Sequence, residues 1–518
     1  MKRLTLLFPA ALLAGVALLS YAQTNLTGYW MFRVPQANND GTFRDSYFEL
    51  KQDGAAITGR AIQGARETPI SEGTFQGGAL HFVVSTPGRG ANATPNRTVY
   101  DGKLVDGKFT LTSAGRGNPV SGEFLRSSKE AATPPAPLPL PDLHDVKDNG
   151  LVRTPPMGWN SWNKFAGRVT DADVRGMADA MVASGMAKAG YVYVNIDDTW
   201  EGQSRDANGN ITTNRKFPDM KALTAYVHSK GLKIGIYSSP GPKTCAGYEA
   251  SYGHEEQDAK QFAAWGFDYL KYDWCSAGNI YKDTDMQAVY QKMGDALLKA
   301  GRPIVYSLCQ YGRSDVWTWG AKVGGNLWRT TGDISDRWLS LDRIGFGPAV
   351  PGQRTQLDIA SAMKPGHFND PDMLEIGNGG MTDDEYRLHM SLWSLLSAPL
   401  LAGNDLRSMT DEIKSILMNV EVIAVNQDRA VNPPRKISEE NGGMSVVLAK
   451  TLADGSVAVG LFNRGEEPAL IPVSWKSLGI AAKTARDLWT HQAVAVSGDS
   501  YTATVPKHGV AMLKVSAK

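Results

Sequence analysis

A surplus of charge of either sign is the first thing this 518-residue sequence lacks: 54 Lys and Arg offset 53 Asp and Glu, leaving +1. A balanced chain offers no electrostatic attraction for nucleic acid or an anionic membrane surface, and a neutral ligand fits better. Cysteine is scarce, with only Cys245, Cys275 and Cys309. That number excludes a disulfide scaffold but permits one bridge and one free thiol. Metal-ligand spacing is missing as well. His228, His254 and His367 stand alone, with no His-Glu-x-x-His and no Cys-x-x-Cys, so no metal is expected. No Gly-x-Gly-x-x-Gly follows a strand and no P-loop occurs, so no cofactor is expected either. The Gly pairs near 324 and 379 read as flexible loops. Beyond the first two dozen residues, no stretch approaches the roughly 20 apolar residues of a membrane helix.

Among what is present, length comes first: 518 residues exceed one ordinary core and predict two or three domains. The opening "MKRLTLLFPAALLAGVALLSYAQ" joins Lys2 and Arg3 to a short apolar run and the small residues Ser20 and Ala22. It reads as a secretory signal over 1–22, implying a secreted or periplasmic protein that is soluble once exported. Thirteen tryptophans suit stacking on sugar rings, although most read as core packing.

Three grammars follow one another. Over 23–128, short alternating runs such as "YFELKQ" and "ALHFVVS", broken by "QDG", "QGG" and "VDG", predict a small antiparallel β domain, a barrel or a sandwich. Residues 129–149 carry "TPPAPLPLP", whose prolines favour a stiff extended spacer. From 150 to 425 apolar strands alternate with amphipathic helices. One helix is predicted to start at Thr170, with Asp173 at capping-box distance. Another covers 219–230, with Met220, Leu223 and Val227 on one face and Gly231 ending it. Eight candidate strands, "MGWNSW", "YVYVNID", "LKIGIYS", "YLKYDW", "PIVYSLC", "LWRTTG", "HFND" and "PLLAG", predict a closed (β/α)8 TIM barrel. From 426 to 518, "MSVVLAKTL", "SVAVGLFNR" and "YTATVPKHGVAMLKVS" predict a C-terminal antiparallel β-sandwich.

In such a barrel the C-terminal strand ends form the active face. The polar residues there are Asp197, Asp198, Tyr237, Asp273, Cys309, Gln310, Asp333, Asn369, Asp370 and Asp372. In "YLKYDWC", alternation along the strand turns Lys271 and Asp273 to the interior and Tyr272 and Trp274 to the helices. An ammonium beside Asp273 favours its anion, the form a nucleophile needs. Asp333, with Arg329 four residues earlier, supplies a second carboxyl, and such a pair is the minimum for glycoside hydrolysis. As a residue in a loop after a strand, Asp333 equally suits a helix cap. Cys245 and Cys275 follow adjacent strands and can bridge.

Together "TPPMGWNSW", "NIDDTW", "HSKGLKIGIY", "KTCAG", "LKYDWC", "LWRTTGDI" and "NDPDML" resemble glycoside hydrolase family 27, the retaining α-galactosidases and α-N-acetylgalactosaminidases. The resemblance covers about 150–425, and the family's C-terminal β domain matches the tail. It implies Asp273 as nucleophile and Asp333 as general acid/base. It implies that Asp197 and Asp198 bind the 4- and 6-hydroxyls of galactose, that Trp162 packs on the sugar, and that Tyr237, Lys271, Arg329 and Asp372 line its pocket. Cys245 and Cys275 match the family's bridge. Where many relatives read Cys-Glu-Trp-Gly, this chain has "CQYG", so Gln310 and Tyr311 fall near the sugar's 2-substituent. The implied reaction is hydrolysis of a small or oligomeric substrate with terminal α-D-galactose, without a cofactor. The retained Asp197–Asp198 pair speaks against a β-L-arabinopyranoside. α-N-Acetylgalactosaminides or other glycosides remain the alternative substrates, and a non-catalytic carbohydrate-binding protein the alternative of another class.

Overall fold

The computed structural model describes residues 25–88, 94–105, 107–348 and 354–517. The signal expected over 1–22 lies outside them. Contacts divide the chain into two units: residues up to Val34 with Asp45–Thr133, and Pro35–Arg44 with Pro134 onward.

In the first unit eight strands, Gly28–Pro35 (β1), Phe43–Asp53 (β2), Ala56–Gln63 (β3), Arg66–Gln76 (β4), Ala79–Thr86 (β5), Asn96–Val105 (β6), Lys108–Ala114 (β7) and Val120–Arg126 (β8), close into an antiparallel barrel. Pairing of β1 with β8, Phe32 opposite Phe124, completes the ring. Of the two folds the alternation allowed, the chain adopts the barrel. Its inward positions are large and apolar, with Phe48, Leu50, Phe82, Leu111 and Phe124 almost fully buried. Closure leaves no sheet edge to protect.

In the second unit the strands Met157–Asn160 (β9), Tyr193–Asn195 (β10), Lys233–Ser238 (β11), Tyr269–Asp273 (β12), Val305–Cys309 (β13), Leu327–Arg329 (β14), Phe368–Asp370 (β15) and Leu400–Ala402 (β16) form one parallel sheet. Their order, β15-β14-β13-β12-β11-β10-β9-β16, is that of a curled (β/α)8 sheet, and a parallel bridge from Leu374 to Ala402 joins its two ends. All eight fall on the runs read from sequence. The helix Asp171–Ala183 (α1) carries the expected capping box between Thr170 and Asp173. Met220–Ser229 (α2) is capped by Asp219 and buries Met220, Leu223 and Val227. Further out lie Glu255–Trp265 (α3), Met286–Lys299 (α4) and Asp383–Leu395 (α5).

Below the active face, Tyr193, Tyr269, Val305, Leu327 and Phe368 fill the barrel interior. Their sealed layer turns the upper mouth into a cup rather than a pore. The proline-rich stretch is extended, as its composition requires, but it is not a free spacer. His144 N donates to Gln291 Oε1 (3.0 Å) on α4, and Val146 N donates to the Lys322 carbonyl (2.7 Å).

C-terminal strands Arg435–Glu440 (β17), Ser445–Thr451 (β18), Val457–Asn463 (β19), Ala469–Ser474 (β20), Thr484–Asp487 (β21), Ala493–Val494 (β22), Ser500–Val505 (β23) and Val510–Ser516 (β24) form a six-stranded sheet, β17-β18-β19-β24-β21-β22, and a β20-β23 pair. Val447, Val459, Leu461, Ile471, Val473, Val505 and Leu513 share the core between them.

Candidate active site

Each nominated side chain sits at the end of a parallel strand, where chain direction carries it to the same mouth. Trp162, Asp197, Asp198, Tyr237, Lys271, Asp273, Arg329, Asp333 and Asp372 line one cavity, joined by Asn163, Cys245, Tyr311 and Met373. On β12, Tyr272 packs with the helix-side core and Lys271 and Asp273 face the cup, as alternation requires.

Asp273 is 4% exposed. Tyr311 Oη donates to its Oδ1 at 2.6 Å, and Tyr237 Oη reaches Oδ2 at 3.4 Å. Burial is the largest influence on this carboxyl and pushes it up, while the charge of Lys271 and the Tyr311 phenol oppose the rise. Lys271 acts on Asp273 in the expected sense, its charge favouring the anion, but without a direct bond: Lys271 Nζ is bonded to Asp197 Oδ2 at 2.8 Å. The register explains this, because β10 and β11 bring Asp197 in beside Lys271.

Asp197 is held on several sides. Asn160 Nδ2 donates to Oδ2 (2.9 Å) and Asp198 N to Oδ1 (2.9 Å). Asp198 accepts from Thr199 N (2.6 Å) and Ala246 N (2.8 Å). Burial nevertheless pushes it up to about 7, with the Asp197 charge adding to the rise. Trp162 is half-buried at the cavity wall.

Asp333 differs in kind, its side chain being 72% exposed. Arg329 Nη2 donates to its Oδ1 (3.0 Å) and pairs also with Asp372 Oδ2 (2.9 Å). Partial burial raises Asp333, but the charges of Arg329 and Lys271 and the arginine hydrogen bond outweigh it and hold the carboxyl below its usual value. Open to water, Asp333 is therefore an anion. A ligand covering it would strip away that water and favour the protonated form.

Cys245 and Cys275 form the disulfide, Cα atoms 4.9 Å apart. Cys309 is fully buried and receives Arg329 Nη1 on its sulfur at 3.5 Å, which places it behind the wall rather than against a ligand. Gln310 also leaves the cavity: its Nε2 donates to the Arg329 carbonyl (3.2 Å) and its Oε1 has no partner among the described residues. Asn369 and Asp370 are internal supports, accepting from Trp328 Nε1 (2.7 Å) and Asp372 N (2.9 Å). Asn163 and Met373 were not singled out from sequence, whereas the resemblance placed Tyr311 near the sugar's 2-substituent and it does line the cavity. Asn163 follows Trp162 directly, and Tyr311 stands out in "CQYG" only through its departure from the usual tryptophan.

Two carboxyls of opposite environment, one sealed and held by phenols and one solvated beside an arginine, share the mouth of a (β/α)8 barrel, an arrangement that suits a glycoside hydrolase. The family pattern described as Alpha galactosidase A matches residues 154–428, and Alpha galactosidase C-terminal beta sandwich domain matches 442–515. An α-galactosidase of Cyamopsis tetragonoloba is 47% identical over 373 residues, covering 71% of this chain and 87% of the relative. α-Galactosidase I of Mortierella vinacea superposes with a TM-score of 0.67 at 36% identity, covering 71% of this chain and 98% of that one. The Saccharomyces cerevisiae α-galactosidase solved with raffinose gives 0.64 at 28% identity, covering 72% and 100%. The chain belongs to the α-galactosidase family, glycoside hydrolase family 27.

Proposed function

We propose that this enzyme hydrolyses terminal α-D-galactosides by double displacement, acting outside the cytoplasm after export. Asp273 attacks the anomeric carbon while protonated Asp333 gives its proton to the departing oxygen. Asp333, now ionised, takes a proton from water as that water displaces Asp273 from the glycosyl-enzyme. Asp197 and Asp198 bind the sugar hydroxyls, Trp162 packs on its ring, and Tyr237, Lys271, Arg329 and Asp372 complete the pocket. The observation that carries this reading is the occurrence of Asp273 and Asp333 in the wall of one cavity, in opposite environments.

The test is a pair of variants assayed with p-nitrophenyl α-galactoside and with melibiose. Asp273→Asn should keep the fold and lose turnover of both. Asp333→Ala should slow melibiose, whose leaving group needs a proton, far more than the activated aryl substrate. Near-normal turnover by Asp273→Asn, or equal slowing of both substrates by Asp333→Ala, would overturn the assignments. The corresponding aryl N-acetylgalactosaminide and glucoside test the choice of sugar.

A further inference from the structure

Both family patterns begin after residue 153, and the segment Pro35–Arg44 that joins β1 to β2 lies outside them. Its core, "QANNDGT", is as polar as a solvated hairpin end. Two of its residues are nonetheless buried: Asp40 is 2% exposed and Thr42 6%. A buried carboxylate is costly unless bonded, and Asp40 is bonded throughout. It accepts from Thr42 N (2.9 Å), Thr42 Oγ1 (2.6 Å) and the Tyr248 phenol, with Lys216 Nζ at 3.9 Å.

The remaining bonds of the segment reach the two loops that follow β10 and β11. Gln36 Nε2 donates to the Ala246 carbonyl (3.1 Å) and Asn38 Nδ2 to Tyr248 Oη (3.1 Å). Arg215 Nε donates to the Asn39 carbonyl (2.7 Å), and Phe43 N to Gln203 Oε1 (2.6 Å). Asn38 also fills the space over Gly167, where an added Cβ would lie 2.2 Å from its side chain.

What these bonds hold is a turn of the pocket wall. Thr244 N bonds to the Tyr248 carbonyl and Tyr248 N to Thr244 Oγ1, both at 3.0 Å, closing the turn 244–248. Within it Cys245 lines the cavity, and Ala246 N donates to Asp198 Oδ2. Ala246 thus faces the pocket with its N–H and the foreign segment with its carbonyl. Lys216, beside Asp40, donates to the Gly167 carbonyl (2.6 Å) and Thr199 Oγ1 (3.0 Å), and Thr199 adjoins Asp198.

We propose that residues 36–42 are a positioning element of the sugar pocket: they brace the 244–248 turn so that the Ala246 N–H stays aimed at Asp198, and thereby set sugar affinity without touching the sugar. The affinity part rests on the galactoside reading above; the brace does not. A turn with one peptide shared between two partners loses aim when either lets go, and the loss falls on binding rather than on the reacting carboxyls.

The test uses the full chain and two variants. Gln36→Glu keeps the shape and removes the donor; a flexible Gly-Ser heptapeptide in place of 36–42 removes the whole brace. Readouts are KM and kcat on p-nitrophenyl α-galactoside, the calorimetric Kd for galactose, and amide exchange of the peptide covering 244–248. For Gln36→Glu we expect KM and Kd to rise about three-fold, and for the heptapeptide variant about ten-fold or more, with kcat within about two-fold. Exchange at 244–248 should quicken in both. Unchanged exchange in a folded heptapeptide variant overturns the brace whatever the substrate. Quickened exchange with KM and Kd unmoved overturns its effect on affinity. If the unaltered enzyme neither turns over nor binds galactosides, the substrate reading fails and exchange alone decides the brace.

Discussion

At the scale of single residues the decisive group is the phenol of Tyr311, 2.6 Å from Asp273 Oδ1. A hydrogen bond to a charged group contributes about 1.5–3 kcal/mol, and this one stabilises the anion that, in the mechanism proposed above, attacks and later departs. In Tyr311→Phe the kcat should fall about 10- to 100-fold with little change in thermal midpoint. The bond lowers the pKa of Asp273, so losing it raises that pKa, and the acid limb of kcat/KM should move to higher pH. A kcat and acid limb both unchanged would mean the phenol does no catalytic service. Eight of the nine candidates that line the cup were legible in the residues, because strand ends in a parallel barrel converge, and Trp162 came only through the family resemblance. Sequence alone could not reveal that Lys271 bonds Asp197 or that Tyr311 bonds Asp273. Both depend on register between neighbouring strands, which one strand's alternation does not contain.

At the scale of elements, the eight barrel strands were legible because each is a short apolar run ending in polar residues. Helices α1 and α2 were legible through their caps. The barrel form of the first unit was not, since alternation is the same in a closed ring and a sandwich. Helix α5 shows a subtler failure of local rules. His389 on it is 0% exposed, neither ring nitrogen has a hydrogen-bond partner among the described residues, and it meets Trp393 edge-on at 4.2 Å. Burial pushes its pKa down to about 3, so the ring stays neutral at any ordinary pH. An unbonded buried polar group costs about 1–3 kcal/mol, more than an aromatic edge contact of about 0.5–1.5 kcal/mol returns. His389→Leu should therefore raise the denaturant midpoint or leave it level, by chemical unfolding at pH 7. A fall of more than about 1 kcal/mol would show that the ring's packing outweighs its unmet polarity.

For the molecule as a whole, burying several carboxyls at and around the barrel mouth makes folding sensitive to pH. Burial raises Asp198 and Glu375 to about 7 and Asp370 to about 6, and Glu201, one oxygen of which has no partner among the described residues, well above its ordinary value. Between pH 5 and 7 the folded chain thus holds protons on these groups that the unfolded chain, with carboxyls near 4, has already released. When the native state binds more protons, stability falls as pH rises. His389 works in the opposite sense, because its folded pKa lies below the unfolded value of about 6.5, so its contribution grows up to that pH. Lys450, pushed down to about 8 by burial, changes the balance only above this window. Several carboxyls, joined by the raised His144, against two depressed imidazoles, His389 and His367, give a net direction: by scanning calorimetry the thermal midpoint should be higher at pH 5 than at pH 7. Glu375→Gln, which stays neutral throughout, should flatten that slope, and His389→Leu, which removes an opposing group, should steepen it. A midpoint that instead climbs from pH 5 to 7 in the unaltered chain would mean these carboxyls fold as anions, with their hydrogen bonds and neighbouring positive charges outweighing their burial.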